Sequence, residues 1–274
     1  MSLKTDVKSY WEEKVCGAVY GMDESGDSVD ITRMGKARYQ LEPYIPEFAD
    51  FPSAKGKRLL EVGVGGGVDF SNWIKNGAHA TGMDLTQAGV SMTRQRLDQM
   101  GITRDKYRLL VGDAENMPYE DNTFDIVYSF GVMHHSPDTL RAFREARRVL
   151  KAGGVFKAMI YHSRSWVGLM FWGRYALLAG RPWKSPRQAM FEHLESPGTK
   201  TYTVAQASDL IRQAGFENFD IRLQLAFADL LLNKPRSKKY QAGIYRLLWS
   251  CYPRWFIRLL GNGFGFQMMI TARK

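Results

Sequence analysis

The stretch Arg58-Leu-Leu-Glu-Val-Gly-Val-Gly-Gly-Gly67 decides the fold of this chain. Its apolar run, Arg58–Val64, reads as a strand that breaks at the three glycines. A helical pattern follows from about Val68 to Asn76, and a second apolar run covers Ala78–Met83. Strand, glycine turn, helix and strand in this order predict a βαβ unit, whose first turn lets a ligand approach the backbone closely.

Short apolar runs continue to alternate with helical periodicity farther along the chain. The further predicted helices are Gln87–Met100, Asp138–Val149 and Val204–Ala214; the further predicted strands are Tyr107–Val111, Phe124–Phe130, Val155–Tyr161 (after a turn at Lys151–Gly154), one near Phe219–Leu223 and Gln267–Ala272. This alternation predicts an α/β fold: a Rossmann-like, seven-stranded, mostly parallel sheet with helices on both faces.

Two segments interrupt the regular pattern. Residues His162 to about Lys200 carry aromatic and basic residues with scattered Gly and Pro, and they predict a lid inserted over the sheet. The aromatic segment Tyr10-Trp-Glu-Glu-Lys14 is atypical of a disordered tail, so we interpret residues 1–50 as an N-terminal cover segment; simple packing of Trp11 on the domain flank is the alternative. The predicted binding domain then spans residues 51–274.

Composition excludes several classes of protein. The 274 residues are 45% hydrophobic and 24% charged, and no apolar run approaches the ~20 residues of a membrane span. No secretory signal is visible, so we expect a cytoplasmic protein. Cys16 and Cys251 lack metal-ligand spacing and read as ordinary thiols. The formal charge of +10 suggests an anionic partner without choosing among nucleic acid, phospholipid and an acidic metabolite.

Acidic residues around the glycine turn indicate the type of cofactor. Asp84 ends the second predicted strand about twenty residues after the turn, where a carboxylate can accept ribose hydroxyls of NAD or of S-adenosylmethionine. Glu61 within the first strand and Gly112-Asp-Ala-Glu115 after the third oppose the negative charge of a pyrophosphate and suit an ammonium group. A cationic sulfonium cofactor is therefore favoured over a dinucleotide.

Five motifs together carry a resemblance to a known family. They are Leu59-Leu-Glu-Val-Gly-Val-Gly-Gly-Gly67, Gly82-Met-Asp-Leu-Thr86, Gly112-Asp-Ala-Glu-Asn-Met-Pro118, Phe124-Asp-Ile-Val-Tyr-Ser-Phe-Gly-Val-Met-His-His135 and Val149-Leu-Lys-Ala-Gly-Gly154. Their order and spacing resemble those of class I S-adenosylmethionine-dependent methyltransferases over roughly Gly56–Tyr161 and the final strand. Within that superfamily the likeness is greatest to methyltransferases of small molecules and lipid intermediates.

The resemblance implies a set of cofactor contacts for S-adenosylmethionine and its product S-adenosylhomocysteine. It implies Gly63 and Gly65 against the methionine part, Asp84 on the ribose, Asp113 on the adenine amine, Ala114 donating from its backbone, Phe130 and Gly131 on the pocket floor, and Glu61 acting indirectly near the amino group. Gly67, Leu85 and Glu115 complete the predicted cofactor set. The run Gly-Val-Gly-Gly-Gly departs from the commoner Gly-Cys/Thr-Gly-x-Gly, a change that backbone contacts should tolerate.

Methyl transfer needs alignment of the acceptor, exclusion of water and, for a hydroxyl acceptor, a base. The catalytic candidates on the expected active face are His134, His135, Tyr161 and His162, although packing beneath the cofactor is the favoured interpretation of His134. Tyr20, His193 and Glu195 are candidate substrate residues. No metal is expected, because the fourth strand ends in Ser129-Phe130-Gly131 without an acid.

The predicted function is methylation of an O, N or C nucleophile in a small metabolite or a lipid-linked intermediate. Basic residues interleave with aromatic ones over about residues 234–260, which predicts either burial with solvated charges, or contact with a membrane surface, or binding of nucleic acid. A nucleic-acid substrate is the less favoured interpretation. An RNA methyltransferase and a non-catalytic cofactor-binding or membrane-surface protein remain the alternatives.

Overall fold

A computed structural model describes residues 2–21, 30–232 and 250–274. Its strands are β1 Arg58–Val62, β2 His79–Asp84, β3 Tyr107–Val111, β4 Phe124–Phe130, β5 Leu150–Tyr161, β6 Asn218–Gln224 and β7 Gln267–Arg273. The α-helices are α1 Leu3–Glu13, α2 Ile31–Leu41, α3 Ile45–Ala49, α4 Val68–Lys75, α5 Gln87–Gln99, α6 Thr139–Val149, α7 Trp166–Trp172, α8 Pro186–His193, α9 Val204–Gln213 and α10 Arg254–Leu259.

The seven strands form one sheet in the order β3-β2-β1-β4-β5-β7-β6. All neighbours pair in parallel except β7, which is antiparallel to both β5 and β6. The predicted seven-stranded, mostly parallel sheet is confirmed. Because the chain runs outward from β1 to β3 on one side and from β4 onward on the other, the order reverses between β1 and β4. Ligands of such sheets bind beyond the carboxyl ends of the strands at this reversal.

Helices cover both faces of the sheet, which explains why the central strands are apolar on both sides. On one face α6 and α9 pack over a cluster in which Phe156 lies between Phe143 and Phe216, with ring centroids 5.2 and 5.4 Å apart. On the other face α3, α4 and α5 pack around Trp73 and Tyr128, both fully buried. Packing on both faces holds the strands in a fixed orientation, and this determines the edge of the sheet at which their carboxyl ends lie.

Two predicted segments differ from the structure. The expected turn at Lys151–Gly154 is part of β5, where Leu150 pairs with Phe124 and Val155 pairs with Ile126, so the extra residues form a bulge. The lid is more regular than its sequence predicts, because Ser165 and Ser185 cap helices α7 and α8 with their side chains. A π-helical turn at Gly173–Leu177 follows α7.

Most of the predicted basic aromatic segment lies outside the described residues, since 233–249 are not among them. Its described part includes α10, in which Ile257 is buried and Trp255 is 72% exposed. The interpretation that the aromatic residues are buried therefore fails for Trp255. No helix in the described ranges is both long and apolar enough to cross a bilayer.

Candidate functional site

A cavity of about 560 Å³ opens beyond the carboxyl ends of β1 and β4. The turn after β1, the ends of β2 and β4 and the segment after β3 form one part of its wall. Helices α1 and α2, the end of β5, the start of the lid, residues 226–228 and the start of β7 also line it. The site therefore lies at the reversal of strand order, where the fold predicts a ligand.

The glycine turn is shaped for close approach of a ligand to the backbone. Gly63 has φ 82° and Gly65 has φ 50°, conformations that residues with a Cβ rarely adopt. Helix α5 holds the turn from behind: the Thr93 hydroxyl donates to the Gly65 carbonyl at 2.8 Å, and Arg96 Nε donates to the Gly66 carbonyl at 2.7 Å. Gly67 does not line the cavity; it begins α4 and packs on Thr93.

The Asp84 carboxylate anchors the same turn. Its Oδ2 accepts a hydrogen bond from the Gly65 amide at 2.9 Å, and its Oδ1 accepts from the amide and the hydroxyl of Thr86. The pKa of Asp84 is raised, because the effect of burial exceeds that of these hydrogen bonds, which lower it. A Cβ on Gly89 would lie 2.8 Å from the carboxyl carbon, so glycine there leaves this group open to the cavity. Oδ2 keeps a lone pair for a ligand hydroxyl.

Glu61 lies on the cavity floor with a carboxyl oxygen, Oε2, that has no hydrogen-bond partner among the described residues. Burial, and then repulsion from Asp69, raise its pKa well above the usual range. The adjacent Arg38 is paired with Asp69 at 2.5 Å and with Glu42 at 3.3 Å. An unpartnered buried carboxyl is costly, and a ligand cation would satisfy it.

The segment after β3 contributes Asp113 and Ala114 to the cavity. Asp113 Oδ2 accepts from Lys4 Nζ at 2.7 Å, and Oδ1 accepts from the Glu115 amide. Glu115 itself does not line the cavity: it binds Lys4, the Ser136 hydroxyl at 2.6 Å and the Asp138 amide at 2.8 Å. The Glu115 carboxylate therefore holds Lys4 of α1 against the segment that contains Ser136 and Asp138, and it does not face the cavity as predicted.

Helix α1 lies over the cavity, as the cover interpretation of the N-terminal segment predicts. Trp11 lines the cavity and meets His135 edge-on, with ring centroids 5.2 Å apart. Glu12 accepts from the amides of Gln87 and Ala88 at the start of α5, where the helix dipole favours an anion. Lys4 at one end and Glu12 at the other hold α1 across the site.

Tyr161, Glu195 and His135 form a polar cluster in the cavity wall. The Tyr161 hydroxyl donates to Glu195 Oε2 at 3.0 Å, and His135 Nε2 lies 3.6 Å from the same oxygen. His135 Nδ1 is within hydrogen-bond distance of the Ser196 and Thr199 hydroxyls, at 2.9 and 3.1 Å. Because these hydroxyls follow Glu195 in the chain, they fix its loop against His135.

The cluster has unusual protonation properties. Burial raises the pKa of Glu195 to about 7, and burial lowers the pKa of His135 to about 3. Glu195 has φ 33°, a backbone conformation that non-glycine residues rarely adopt and that concentrates at functional sites. His135 is therefore a weak proton acceptor at neutral pH, and Glu195 is the better one.

Three predicted histidines lie away from the cavity. His134 is fully buried and packs on Tyr161 with ring centroids 4.0 Å apart, in line with its packing interpretation. His162 Nδ1 is 3.1 Å from the Gly265 carbonyl. His193 stacks on Tyr175 at the lid surface. The predicted Leu85, Phe130, Gly131 and Tyr20 all line the cavity.

Sequence reasoning missed three contributors to this site. Arg38 sits in α2, outside every motif, and nothing in its local sequence marks it as a pocket residue. Cys16 lines the cavity beside Gly65, and burial raises the pKa of its thiol to about 12. Gln267 lines the cavity from β7 and donates to Glu42 at 2.5 Å.

Residues 60–158 match a family model described as a methyltransferase domain. This segment contains β1 through most of β5 and carries the glycine turn, Asp84 and the segment after β3. Residues 60–158 are therefore similar to a methyltransferase domain. The predicted resemblance to methyltransferases is confirmed over these residues.

The curated relatives match a little over a third of this chain. Sterol 24-C-methyltransferase ERG6B of Gibberella zeae is 36% identical over 102 residues, which are 37% of this chain and 27% of that protein. Phthiotriol/phenolphthiotriol dimycocerosates methyltransferase of Mycobacterium tuberculosis is 38% identical over 103 residues, 37% of this chain and 36% of that protein. The chain thus matches about a third or less of the length of these relatives.

A solved structure matches the whole chain in fold. It is geranyl diphosphate C-methyltransferase from Streptomyces coelicolor A3(2), in complex with S-adenosyl-L-homocysteine, Mg²⁺ and geranyl diphosphate, with a TM-score of 0.64 and 17% identity. The alignment covers 100% of this chain and 98% of that one. The likeness shows that the two chains share a fold.

The residues of the cavity fit S-adenosylmethionine. The unpartnered Oε2 of Glu61 suits the ammonium of the methionine part, and the paired Arg38 lies beside it as a cation for the carboxylate. The free lone pair of Asp84 suits a ribose hydroxyl. Among the described residues no group of three or more His, Cys, Asp and Glu side chains is arranged to hold a metal ion.

Replacing Glu61 with glutamine should weaken binding of S-adenosylhomocysteine by roughly tenfold, the loss of about one charge-assisted hydrogen bond, and should leave the stability of the free protein at pH 7 little changed. Burial raises the pKa of Glu61 well above its usual range, which favours the neutral carboxyl in the free protein, and glutamine resembles that form in shape and charge. A ligand ammonium favours the carboxylate, so binding to the native protein should release a proton.

Calorimetry in two buffers of different ionisation enthalpy measures that proton directly. The native protein should show a buffer-dependent heat, and Glu61→Gln should show none. Equal buffer dependence in both proteins would remove Glu61 from the ammonium site.

Proposed function

We propose that this chain transfers a methyl group from S-adenosylmethionine to a nucleophile of a small, largely apolar acceptor, such as a lipid-linked biosynthetic intermediate. One observation carries the proposal: the cavity that contains the glycine turn and Asp84 is continuous with an apolar wall. That wall is lined by Val167, Phe171, Phe227 and Phe266. The relatives named for sterol, phthiotriol and geranyl diphosphate methylation support an acceptor of this kind.

The cofactor contacts proposed for this chain are those of the predicted set that line the cavity. Gly63, Gly65 and Glu61 face the methionine part, Asp84 and Leu85 the ribose, and Asp113 with Ala114 the adenine. Phe130 and Gly131 form the floor. Closure of α1 through Lys4 and Glu12 excludes water from these groups, which strengthens every electrostatic contact within.

Bound S-adenosylmethionine supplies an electrophilic methyl group, and the residues of the chain must orient the acceptor and manage its proton. For a hydroxyl acceptor, we assign the proton to the Glu195 carboxylate, since burial has already raised its pKa toward neutrality. Tyr161 holds Glu195 through its hydroxyl, and His135 packs between Glu195 and Trp11. Both act as positioning residues in this proposal.

Transfer of radiolabel from S-adenosyl-[methyl-³H]methionine tests the proposal. Incubated with an organic-solvent extract of cells and with an aqueous extract, the protein should label the organic fraction. Labelling confined to bulk RNA would contradict the proposal and support the RNA alternative, and the absence of saturable heat with S-adenosylhomocysteine would contradict any cofactor-dependent function. The proposal includes a cytoplasmic location with peripheral contact to a membrane.

A further inference from the structure

The helix that separates the apolar cavity from the outside is itself apolar on both sides. Helix α7, Trp166–Trp172, contains no charged residue. Its inward side chains Val167 and Phe171 line the cavity, whereas Leu169 is 50% exposed on the outside. A helix that is apolar all round is normally buried on every side. Within the ranges that the structure describes, the outer side of α7 thus has no apolar neighbour at Leu169.

Further large apolar side chains stand exposed on the lid around Leu169. We call these five residues the lid patch: Leu169, Leu177, Leu178, Trp183 and Phe191. Leu178 is 84% exposed and Trp183 is 78% exposed, close to the values of free side chains. Scattered exposed apolar residues are ordinary, but several of this size on one short insertion indicate an interaction surface.

Residues 252–264, which contain α10, adjoin the lid and extend the apolar surface. The Trp166 and Phe264 rings are 6.0 Å apart, and the buried Asp229 links the two segments because it accepts from the Val167 amide while its carbonyl accepts from the Tyr252 hydroxyl. In α10, Trp255 is 72% exposed and Leu259 is 75% exposed. The lid patch and α10 thus belong to one connected part of the molecule.

The charged residues around this surface are almost all basic. Residues 162–193 contain five arginines and lysines and a single acid, Glu192, which is paired with Lys184 at 2.6 Å. Arg181 and Arg187 flank Trp183 and are exposed. Residues 250–264 add two arginines and no acid. Aliphatic and tryptophan side chains complement the acyl chains of a bilayer, and the basic residues around them complement its anionic headgroups.

We propose that the lid patch docks this protein on an anionic membrane surface, and that an apolar acceptor passes from the bilayer into the cavity beside α7. The entry step rests on the proposed function; the docking does not. Leu178 and Trp183 enter the headgroup region, and Arg181 and Arg187 contact lipid phosphates. The π-helical turn Gly173–Leu177 at the end of α7 supplies a weak point at which the lid opens.

Vesicle co-sedimentation of the full chain, without cofactor or acceptor, tests the docking. Vesicles of equal parts phosphatidylcholine and phosphatidylglycerol should bind the protein at low salt, and vesicles of phosphatidylcholine alone should bind it at least tenfold more weakly. The double variant Leu178→Asp/Trp183→Asp should lose tenfold or more of its binding to the mixed vesicles. Val204→Asp, at a 38% exposed apolar position at the start of α9, is the matched control and should bind as the native protein does.

Brominated phosphatidylcholine in the mixed vesicles adds a readout of depth. It should quench part of the tryptophan fluorescence of the native protein, and Trp183→Phe should keep the vesicle binding while losing that part. Native-level binding by Leu178→Asp/Trp183→Asp would overturn the proposal. So would a solution dimer that this variant dissociates, since the lid patch would then be covered by a second copy. Vesicle binding without any methyl transfer would leave docking in place and reject the proposed function alone.

Discussion

Asp84→Ala should weaken binding of S-adenosylhomocysteine by roughly 100-fold or more, a loss of about 2.8 kcal/mol at 1.4 kcal/mol per factor of ten. Two effects contribute. The variant loses a charge-assisted hydrogen bond to the ribose, and it releases the Gly65 amide that Asp84 Oδ2 holds at 2.9 Å. A hydrogen bond to a charged group contributes about 1.5–3 kcal/mol, so the first effect alone accounts for most of the loss.

Titration calorimetry of the variant measures the affinity, and Asp98→Ala is the matched control. Asp98 lies on the exposed face of α5, the helix that follows Asp84, and its replacement should leave the affinity unchanged. Asp84→Asn should fall between the two, because an amide oxygen still accepts from Gly65 but carries no charge. Native affinity in Asp84→Ala, with an unchanged melting temperature, would remove Asp84 from the ribose site.

The sequence alone predicts the sheet and the cofactor end of the site because both depend on local patterns. The run Arg58–Val62 is apolar since parallel central strands are buried on both faces. The glycines of the turn and Asp84 recur at spacings that a βαβ unit dictates. These features lie within about fifty residues of one another, so their arrangement follows from the secondary structure that each stretch adopts.

The other half of the site depends on contacts between segments far apart in the chain. Lys4 meets Asp113 across 109 positions, and Tyr44 meets Gln267 across 223. Arg38 reaches the cavity because α2 packs on α4, which no periodicity in its own sequence predicts. The predicted cofactor contact of Glu115 stays a prediction; sequence alone could not show that its carboxylate binds the distant Lys4 and Ser136 outside the cavity lining.

The candidate bases show how burial decides between residues that sequence treats alike. Sequence reasoning places His135 ahead of Glu195, since an isolated histidine has a pKa near neutrality. In the folded chain His135 is buried and the Glu195 side chain is 39% exposed, and the protein packed around each group penalises its charged form by desolvation. That penalty moves His135 away from neutrality and Glu195 toward it. The choice of base therefore depends on tertiary burial rather than on residue type.

Glu195→Gln should lower the rate of methyl transfer to a hydroxyl acceptor by roughly 100-fold, within the range that general bases contribute. A carboxyl group with a pKa of about 7 is protonated below that pH and cannot accept a proton there. The native rate should therefore rise with pH through about 7 and level off above it. In Glu195→Gln this rise should be absent, while the affinity for S-adenosylhomocysteine should stay at the native value.

Glu192→Gln is the matched control, because Glu192 lies three residues earlier on the exposed surface of the lid and pairs with Lys184. It should keep both the rate and the rise near pH 7. His135→Ala separates positioning from catalysis: it removes the ring beside Glu195, so the rate should fall by a smaller factor while the pH dependence persists with a shifted midpoint. Infrared titration of the carboxyl band in the native protein checks the protonation of Glu195 without any acceptor. A rate in Glu195→Gln that keeps the native pH profile would transfer the role of base to another group and leave Glu195 as part of the acceptor wall.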